Sequence, residues 1–423
     1  MLLYFFSGSI LSEITKKRQY KNIEFEREYN NAFKISLKVN KMNELIKIGI
    51  VVMFKMDSGG GAQRVVVDLI KSLNSFGCKV YFLTPWKLNH EKIEEIFEPI
   101  NIEKEYNLDK AKIKFCVEVN LSRKLMKNKF KEMAENVDLI IDIDGGVLHD
   151  YLPKNKKYVI WRISGIESKK SEWEESNWKM KIKYFIKKII TPNRRTLSKK
   201  HNIYAVDAWT RKGLIEDWDF NPRELCLYPE IKIDKFSSNE FKKNQAIIFG
   251  RISPNKRINE SIEVFAKGAK ETDYKLVIIG GVTPDSENYI KYLKKVARDN
   301  KVEDKIEFIK NPDFERLKKI VEESKILIEC QRDISLTMTS IECLAAGVIV
   351  LVHKNGGTFL EVLDSGKYGF GFDSIEEGAR KLRRIIEVLE DGRLNPEIFV
   401  KRAEFFSGRK FRERLKKILE ENL

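Results

Sequence analysis

Cysteine and histidine are scarce in this chain of 423 residues, which carries five of the former and four of the latter. Cys78, Cys116, Cys226, Cys330 and Cys343 are scattered without the spacing of a zinc site or a disulfide framework, and His90, His149, His201 and His353 form no cluster. This argues against a zinc site, and inert thiols in a reducing compartment are expected. Long apolar runs are absent too. Nothing approaches the ~20 residues a spanning helix needs, so any membrane association is expected to be peripheral. Acidic residues are outnumbered 63 to 79, giving a formal charge of +16 that favours an anionic partner: nucleic acid, an anionic membrane surface or a phosphorylated substrate. Nucleic acid is not expected, because RNP-like aromatics, KH and zinc signatures are missing and the basic residues alternate with glutamates. What is present is a globular composition, 42% hydrophobic and 34% charged, long enough for two or three domains with sizeable cores.

Residues 1–41 read as an extension of uncertain role: a short apolar start followed by a charged, patternless stretch, with no signal-type cleavage site. From Met42 onward short apolar runs alternate with helical periodicity. Strands are expected at 45–54, 79–84, 113–119, 137–143, 157–161 and 203–206, and again at 246–249, 275–279, 306–308, 326–328 and 348–352. That alternation predicts two mostly parallel α/β domains, 42–236 and 237–400, joined through the polar stretch 237–244 and facing a cleft. A charged C-terminal helix, 401–423, carries phenylalanines able to pack it back on the first domain. Between 172 and 200 the pattern changes: an apolar helical face is ringed by lysines and followed by Arg194 and Arg195. The segment 179–200 suits an anionic bilayer surface, or an ordinary domain helix with a solvated basic face.

Ligand chemistry concentrates where strands end. After 246–249, Gly250 leads into a loop bearing Arg251 and Lys256, two cations five residues apart that suit a diphosphate, or alternatively are solvated loop charges. The run Gly59-Gly60-Gly61 precedes a helix whose free amides and dipole favour an anion, or is a tight turn without ligand. Gly280 and Gly281 close another strand and permit backbone approach. Glu342 stands in the small, apolar helix SIECLAAG, where a carboxylate is costly unless partnered; ribose hydroxyls or a structural salt bridge are the alternatives. The segment His353-Lys354-Asn355-Gly356-Gly357 adds polar atoms and amides, and Glu361 can cap the following helix or accept a hydroxyl. Taken together, these groups describe a sugar nucleotide held between two domains.

The segments GGGAQRVV (59–66), YPEIKIDKF (228–236), FGRISPNKR (249–257), LVIIGG (276–281), SIECLAAGVIV (340–350) and HKNGGTFLEVL (353–363) follow one another in an order that resembles family 4 of the retaining glycosyltransferases, which includes lipid-linked oligosaccharide mannosyltransferases. The resemblance spans 47 to about 370. It implies the GT-B fold, two Rossmann-like domains around a cleft, and transfer of a hexose from GDP-mannose or a UDP-sugar to a glycan or lipid-linked acceptor with no further cofactor and no metal. It implies that Arg251 and Lys256 act catalytically on the donor diphosphate and Glu342 on the ribose. Gly60, Gly61, Gly280, Asp333, His353, Asn355, Gly356, Gly357 and Glu361 would contact the donor. The expected location is cytoplasmic, peripheral on the cytoplasmic face of a membrane. Two positions depart from the family pattern. Ile334 stands where its first glutamate is usual, with Asp333 as the neighbouring substitute, and Trp161 or Arg162 stands where a histidine is common.

Overall fold

The structure, a computed structural model, describes residues 45–57, 59–108, 119–143, 145–146, 148–164, 200–239, 241–283, 286–392 and 395–423. The extension 1–41, the expected strand at 113–119 apart from Val119, and the basic segment 179–200 apart from Lys200 lie outside these residues. By contact density the chain divides into one unit of residues 1–160 with 416–423 and another of 161–415. The α/β class holds: two six-stranded sheets are each drawn from one half of the sequence and are followed by C-terminal helices.

The first sheet comprises β1 (Lys47–Val52), β2 (Lys79–Leu83), β3 (Lys104–Tyr106), β4 (Leu139–Ile143), β5 (Lys157–Arg162) and β6 (Asn202–Ala205), in the order β3-β2-β1-β4-β5-β6. β1 pairs in parallel with β2 and β4. Its residues are buried from Ile48 onward, as expected of a strand covered on both faces. Helices α1 (Gly61–Ser75), α2 (His90–Ile96) and α3 (Val119–Asn136) connect these strands. Gly49 makes room for α3, since a Cβ there would lie 3.1 Å from Met133 Cε. β3 has only three residues, two of them charged, so apolar patterning does not announce it.

The second sheet repeats the order. β7 (Gln245–Phe249), β8 (Lys275–Gly280), β9 (Ile306–Lys310), β10 (Ile326–Glu329), β11 (Ile349–His353) and β12 (Phe370–Phe372) are arranged β12-β11-β10-β7-β8-β9, and every pairing is parallel. Numbered within each sheet, both read 3-2-1-4-5-6, the doubly wound topology whose ligands lie beyond the strand ends where the order reverses. In the second sheet that point falls between β7 and β10, which pair at Ala246 with Ile326 and Ile247 with Leu327.

After β6 comes α4 (Ala208–Glu216); the second sheet is then wrapped by α5 (Ile258–Ala269), α6 (Ser286–Asp299), α7 (Phe314–Glu323), α8 (Met338–Ala345) and α9 (Ile375–Glu390). α5 and α9 cross at glycines: a Cβ on Gly268 would sit 2.7 Å from the Ala379 carbonyl oxygen, and one on Gly378 would sit 3.1 Å from Val264. The helical tail is broken into α9, α10 (Glu397–Ala403) and α11 (Gly408–Asn422), with Phe399, Phe406 and Phe411 buried. Residues 416–423 of α11 and the C-terminus count with the first unit, and 408–415 with the second.

Candidate nucleotide-sugar site

The strand-end loops of β7 and β8 are locked together by backbone. Gly250 N donates to Ile279 O at 3.1 Å, and Ile252 N donates to Gly281 O at 2.9 Å. Gly280 is present for that approach, since a Cβ on it would stand 1.7 Å from the Gly250 carbonyl oxygen. Its lack of a side chain, read from sequence as room for ligand, is filled by the neighbouring loop. Gly250 itself has φ +138, and the Lys256 methylenes cross over it with Cε 3.5 Å from a notional Cβ. A 3-10 turn (Pro254–Lys256) and Arg257 in the left-handed region carry the chain into α5.

A small pocket opens at this switch point, with Gly250, Arg251, Lys256 and Glu329 on its wall. Arg251 is exposed and Lys256 half-buried, and neither side chain is ion-paired to a described residue. Arg257, by contrast, is paired to Glu260 at 2.7 Å, and Arg332 also reaches Glu260 at 2.5 Å. Two cations at the end of a buried strand, outside any ion pair among the described residues, can hold a diphosphate.

Glu329 was not singled out from sequence. It ends β10 as the last residue of ILIE, and a carboxylate closing a buried parallel strand is the signal that would have found it. One of its oxygens, Oε2, accepts hydroxyls from Thr337 (2.9 Å) and Ser340 (2.8 Å). Thr337 is the residue before α8, and its hydroxyl makes no bond to the amides of the helix start. Glu342 lies buried on α8.

The segment after β11 folds onto the loop after β10. Asp333, in the left-handed region, donates its N–H to Asn355 O at 2.8 Å and accepts Asn355 Nδ2 at 2.7 Å. Gly357 N donates to Ile334 O at 2.8 Å. His353 is buried and its Nδ1 accepts the Asn355 amide at 3.0 Å, which leaves the ring proton on Nε2. Burial first, then the charge of Arg332, pushes its pKa down and so favours the neutral imidazole. Asp333, His353, Asn355 and Gly357 are thus assembled by the fold around one another. Gly356 has room on its Cα side, a Cβ there meeting the Ile334 carbonyl at 3.4 Å, while its own N–H donates to Lys354 O at 3.0 Å. Glu361 is already engaged: it accepts the Ala208 amide at 3.1 Å and the Tyr228 hydroxyl at 2.9 Å. Gly60 and Gly61 lie in the first unit, Gly60 preceding α1 in extended conformation and accepting the Arg64 N–H.

At the position where a histidine was expected, Trp161 is a core side chain donating to Leu227 O at 3.0 Å, and Arg162 stacks over Trp218 at 5.0 Å. Among the described residues no group of three or more His, Cys, Asp or Glu side chains could hold a metal ion, and no helix is long and apolar enough to cross a membrane.

Residues 230–404, under half of the chain, match the family model of glycosyl transferases group 1. A GDP-Man:Man(3)GlcNAc(2)-PP-Dol alpha-1,2-mannosyltransferase of Xenopus laevis is 28% identical over 209 residues, 46% of this chain and 43% of that protein. The Homo sapiens protein of the same description is 25% identical over 203 residues, 44% of this chain and 41% of its own length. The chain therefore aligns with less than half the length of these relatives. Among solved structures, a glycosyltransferase from Rickettsia africae ESF-5 superposes with a TM-score of 0.65 at 16% identity, covering 89% of this chain and 98% of that one. Anabaena Alr3699/HepE in complex with UDP and glucose gives 0.63 at 14% identity, covering 89% and 100%. At such identities these two speak for the fold alone.

The resemblance to family 4 is corrected by these findings, because the model that matches is that of glycosyl transferases group 1. The physical reason lies in the motifs. Glycines at strand ends and a cationic loop at the switch point are demands of any doubly wound sheet that holds a phosphorylated ligand, and the two discriminating positions, Ile334 and Trp161 or Arg162, are those that departed from the pattern. What stands is homology with glycosyltransferases, a group that moves sugars from nucleotide-diphosphate donors to acceptors.

Proposed function

We propose that the chain transfers a hexose from a nucleotide diphosphate sugar to a glycan or lipid-linked acceptor, with retention at the anomeric carbon. The observation that carries this reading is the pair Arg251 and Lys256, outside any ion pair among the described residues and on the wall of the pocket at the β7/β10 switch point. As the bond between the sugar C1 and the β-phosphate oxygen breaks, the electron pair goes to that oxygen, and the two cations oppose the growing charge. The acceptor hydroxyl attacks on the face the phosphate leaves and gives its proton to the departing phosphate oxygen, so configuration is kept. Glu342 is assigned to the ribose hydroxyls. Asp333, His353, Asn355 and Gly356 are assigned to the donor, and Gly60 and Gly61 to the approach of donor or acceptor. GDP-mannose is the first donor to test, because the relatives' names specify GDP-mannose, with UDP-sugars beside it. Peripheral attachment at an anionic membrane, with residues 179–200 as the contact, belongs to the same reading.

The test is incubation of the protein with radiolabelled GDP-mannose, UDP-glucose or UDP-N-acetylglucosamine and a membrane extract. One donor is expected to label a glycan or lipid product with the anomeric configuration of the donor. Arg251→Ala and Lys256→Ala, folded as judged by circular dichroism, are each expected to lower turnover about 100-fold, in line with removal of one electrostatic group at a developing charge. No turnover of any donor by the folded wild type overturns the enzyme reading. Donor binding without turnover would leave a sugar-nucleotide-binding protein, for which Ile334 in place of a carboxylate is the motivating residue.

A further inference from the structure

Two carboxylates meet at the start of α4, and each has one hydrogen bond on that helix and one off it. Asp207, fully buried, accepts Thr210 N through Oδ1 at 2.7 Å, which caps α4, and accepts Leu336 N through Oδ2 at 2.6 Å. Glu361 accepts Ala208 N through Oε2 at 3.1 Å and the Tyr228 hydroxyl through Oε1 at 2.9 Å. Leu336 closes the loop that carries Asp333 and Ile334, and Glu361 lies in the π-helical turn (Thr358–Val362) that follows Asn355, Gly356 and Gly357. The start of α4 is therefore tied at once to both loops that assemble around the pocket residues.

Gly357 reports how tight this junction is. A Cβ on it would lie 2.1 Å from Asp207 Oδ2 and 2.5 Å from Leu336 N, so no side chain fits while Asp207 bonds Leu336. The second glycine of the NGG segment, read from sequence as a place for phosphate or sugar to approach, is where the Asp207 carboxylate approaches. From the other side Arg402 holds the same turn, donating to the carbonyls of Val362 at 2.9 Å and of Glu361.

We propose that Asp207 is a positioning residue for the donor: with Glu361 it clasps the loops 333–337 and 355–361 onto the α4 amino terminus, and donor affinity depends on that clasp being closed. The inference rests on the nucleotide-sugar reading above and adds to it a residue outside the pocket wall. It is pH-sensitive by construction. Burial pushes the Asp207 carboxyl up to about 6, opposed by the bonds from Thr210 and Leu336 and reinforced by the charge of Glu361. The other groups facing this junction are Arg211 on α4, Arg414 on α11, and Cys226 and Tyr228 between α4 and β7; burial raises the last two far above neutrality, so both stay protonated from pH 5 to 8. Above about pH 6 Asp207 is ionised and both oxygens accept. As pH falls through that value one oxygen becomes a hydroxyl, a poor acceptor, and a clasp bond weakens.

The experiment measures KM and kcat for GDP-mannose, with UDP-glucose as the second probe, from pH 5 to 8 in the full chain, together with hydrogen exchange of the Leu336 amide. Wild type is expected to show KM rising as pH drops below 6 with a smaller change in kcat. Asp207→Asn, nearly isosteric, is expected to raise KM about tenfold at pH 7, to flatten its pH dependence, and to speed Leu336 exchange. Gly357→Ala is expected to act in the same direction. Gly268→Ala, which disturbs the remote α5/α9 crossing, is expected to lower the melting temperature with KM unchanged, separating positioning from general stability. Asp207→Asn with the wild-type KM and pH profile overturns the proposal. If no donor turns over, the function reading fails on its own, and unchanged Leu336 exchange in Asp207→Asn still sinks the clasp.

Discussion

Lys242 shows what a half-buried cation does when backbone carbonyls surround it. Its ammonium donates to the carbonyls of Glu322 (3.0 Å), Ser324 (2.9 Å) and Ala346 (2.9 Å), closing the C-terminal ends of α7 and α8 with one side chain. Helix ends leave carbonyls without intrahelical partners and a negative dipole end, so a half-buried lysine there answers both needs. Burial brings its pKa down to about 8, opposed by its electrostatic interactions with Cys343 and Glu322. Lys242→Met, which keeps the volume and removes the donors, is expected to lower unfolding stability by about 1–3 kcal/mol in chemical denaturation. An unchanged midpoint would mean water replaces the ammonium at no cost. Lys156 at the end of α3 and Lys305 beneath the turn after α5 make the same kind of contact, each to two carbonyls. Lys242 sits in a stretch that reads as a polar linker, and its role was hidden because partners 80 to 104 residues away in sequence leave no local trace.

At the scale of elements, sequence pattern located the long buried strands and missed the short ones. β7 and β8 stood out because four consecutive apolar residues after a polar residue and closed by a glycine leave few other readings. β3 and β12, with three residues each, and α2, a two-turn helix capped by Asn89, depend on neighbours that local sequence does not display. The glycines were visible as well, although their purposes divided on folding. Gly280 and Gly357 serve backbone and carboxylate contacts within the protein, while Gly356 retains space. Gly280→Ala is accordingly expected to force the β7 and β8 strand ends apart, displacing Arg251 and raising the donor KM at least tenfold while also lowering the melting temperature. Wild-type kinetics in that variant would show that the loop carrying Arg251 tolerates the shift that a Cβ at Gly280 demands.

At the scale of the whole chain, topology carries the functional reading. Two sheets of order 3-2-1-4-5-6 place every candidate of the second half at or after the end of a strand or on the helix that follows, and the periodicity of apolar runs was sufficient to foresee that. Charge was less transparent. The excess of +16 pointed toward an anionic partner, yet part of the basic complement is committed to helix-end carbonyls and to surface pairs such as Lys243 with Glu323 and Lys267 with Glu376. Arg251 and Lys256 remain outside such pairs among the described residues, and the account of function depends on them. The most direct measurement is a crystal structure with GDP bound. Both side chains are predicted to lie within hydrogen-bond distance of the β-phosphate, with the Glu342 carboxylate on the ribose hydroxyls; GDP bound elsewhere, or phosphates held without Arg251 and Lys256, would contradict the account.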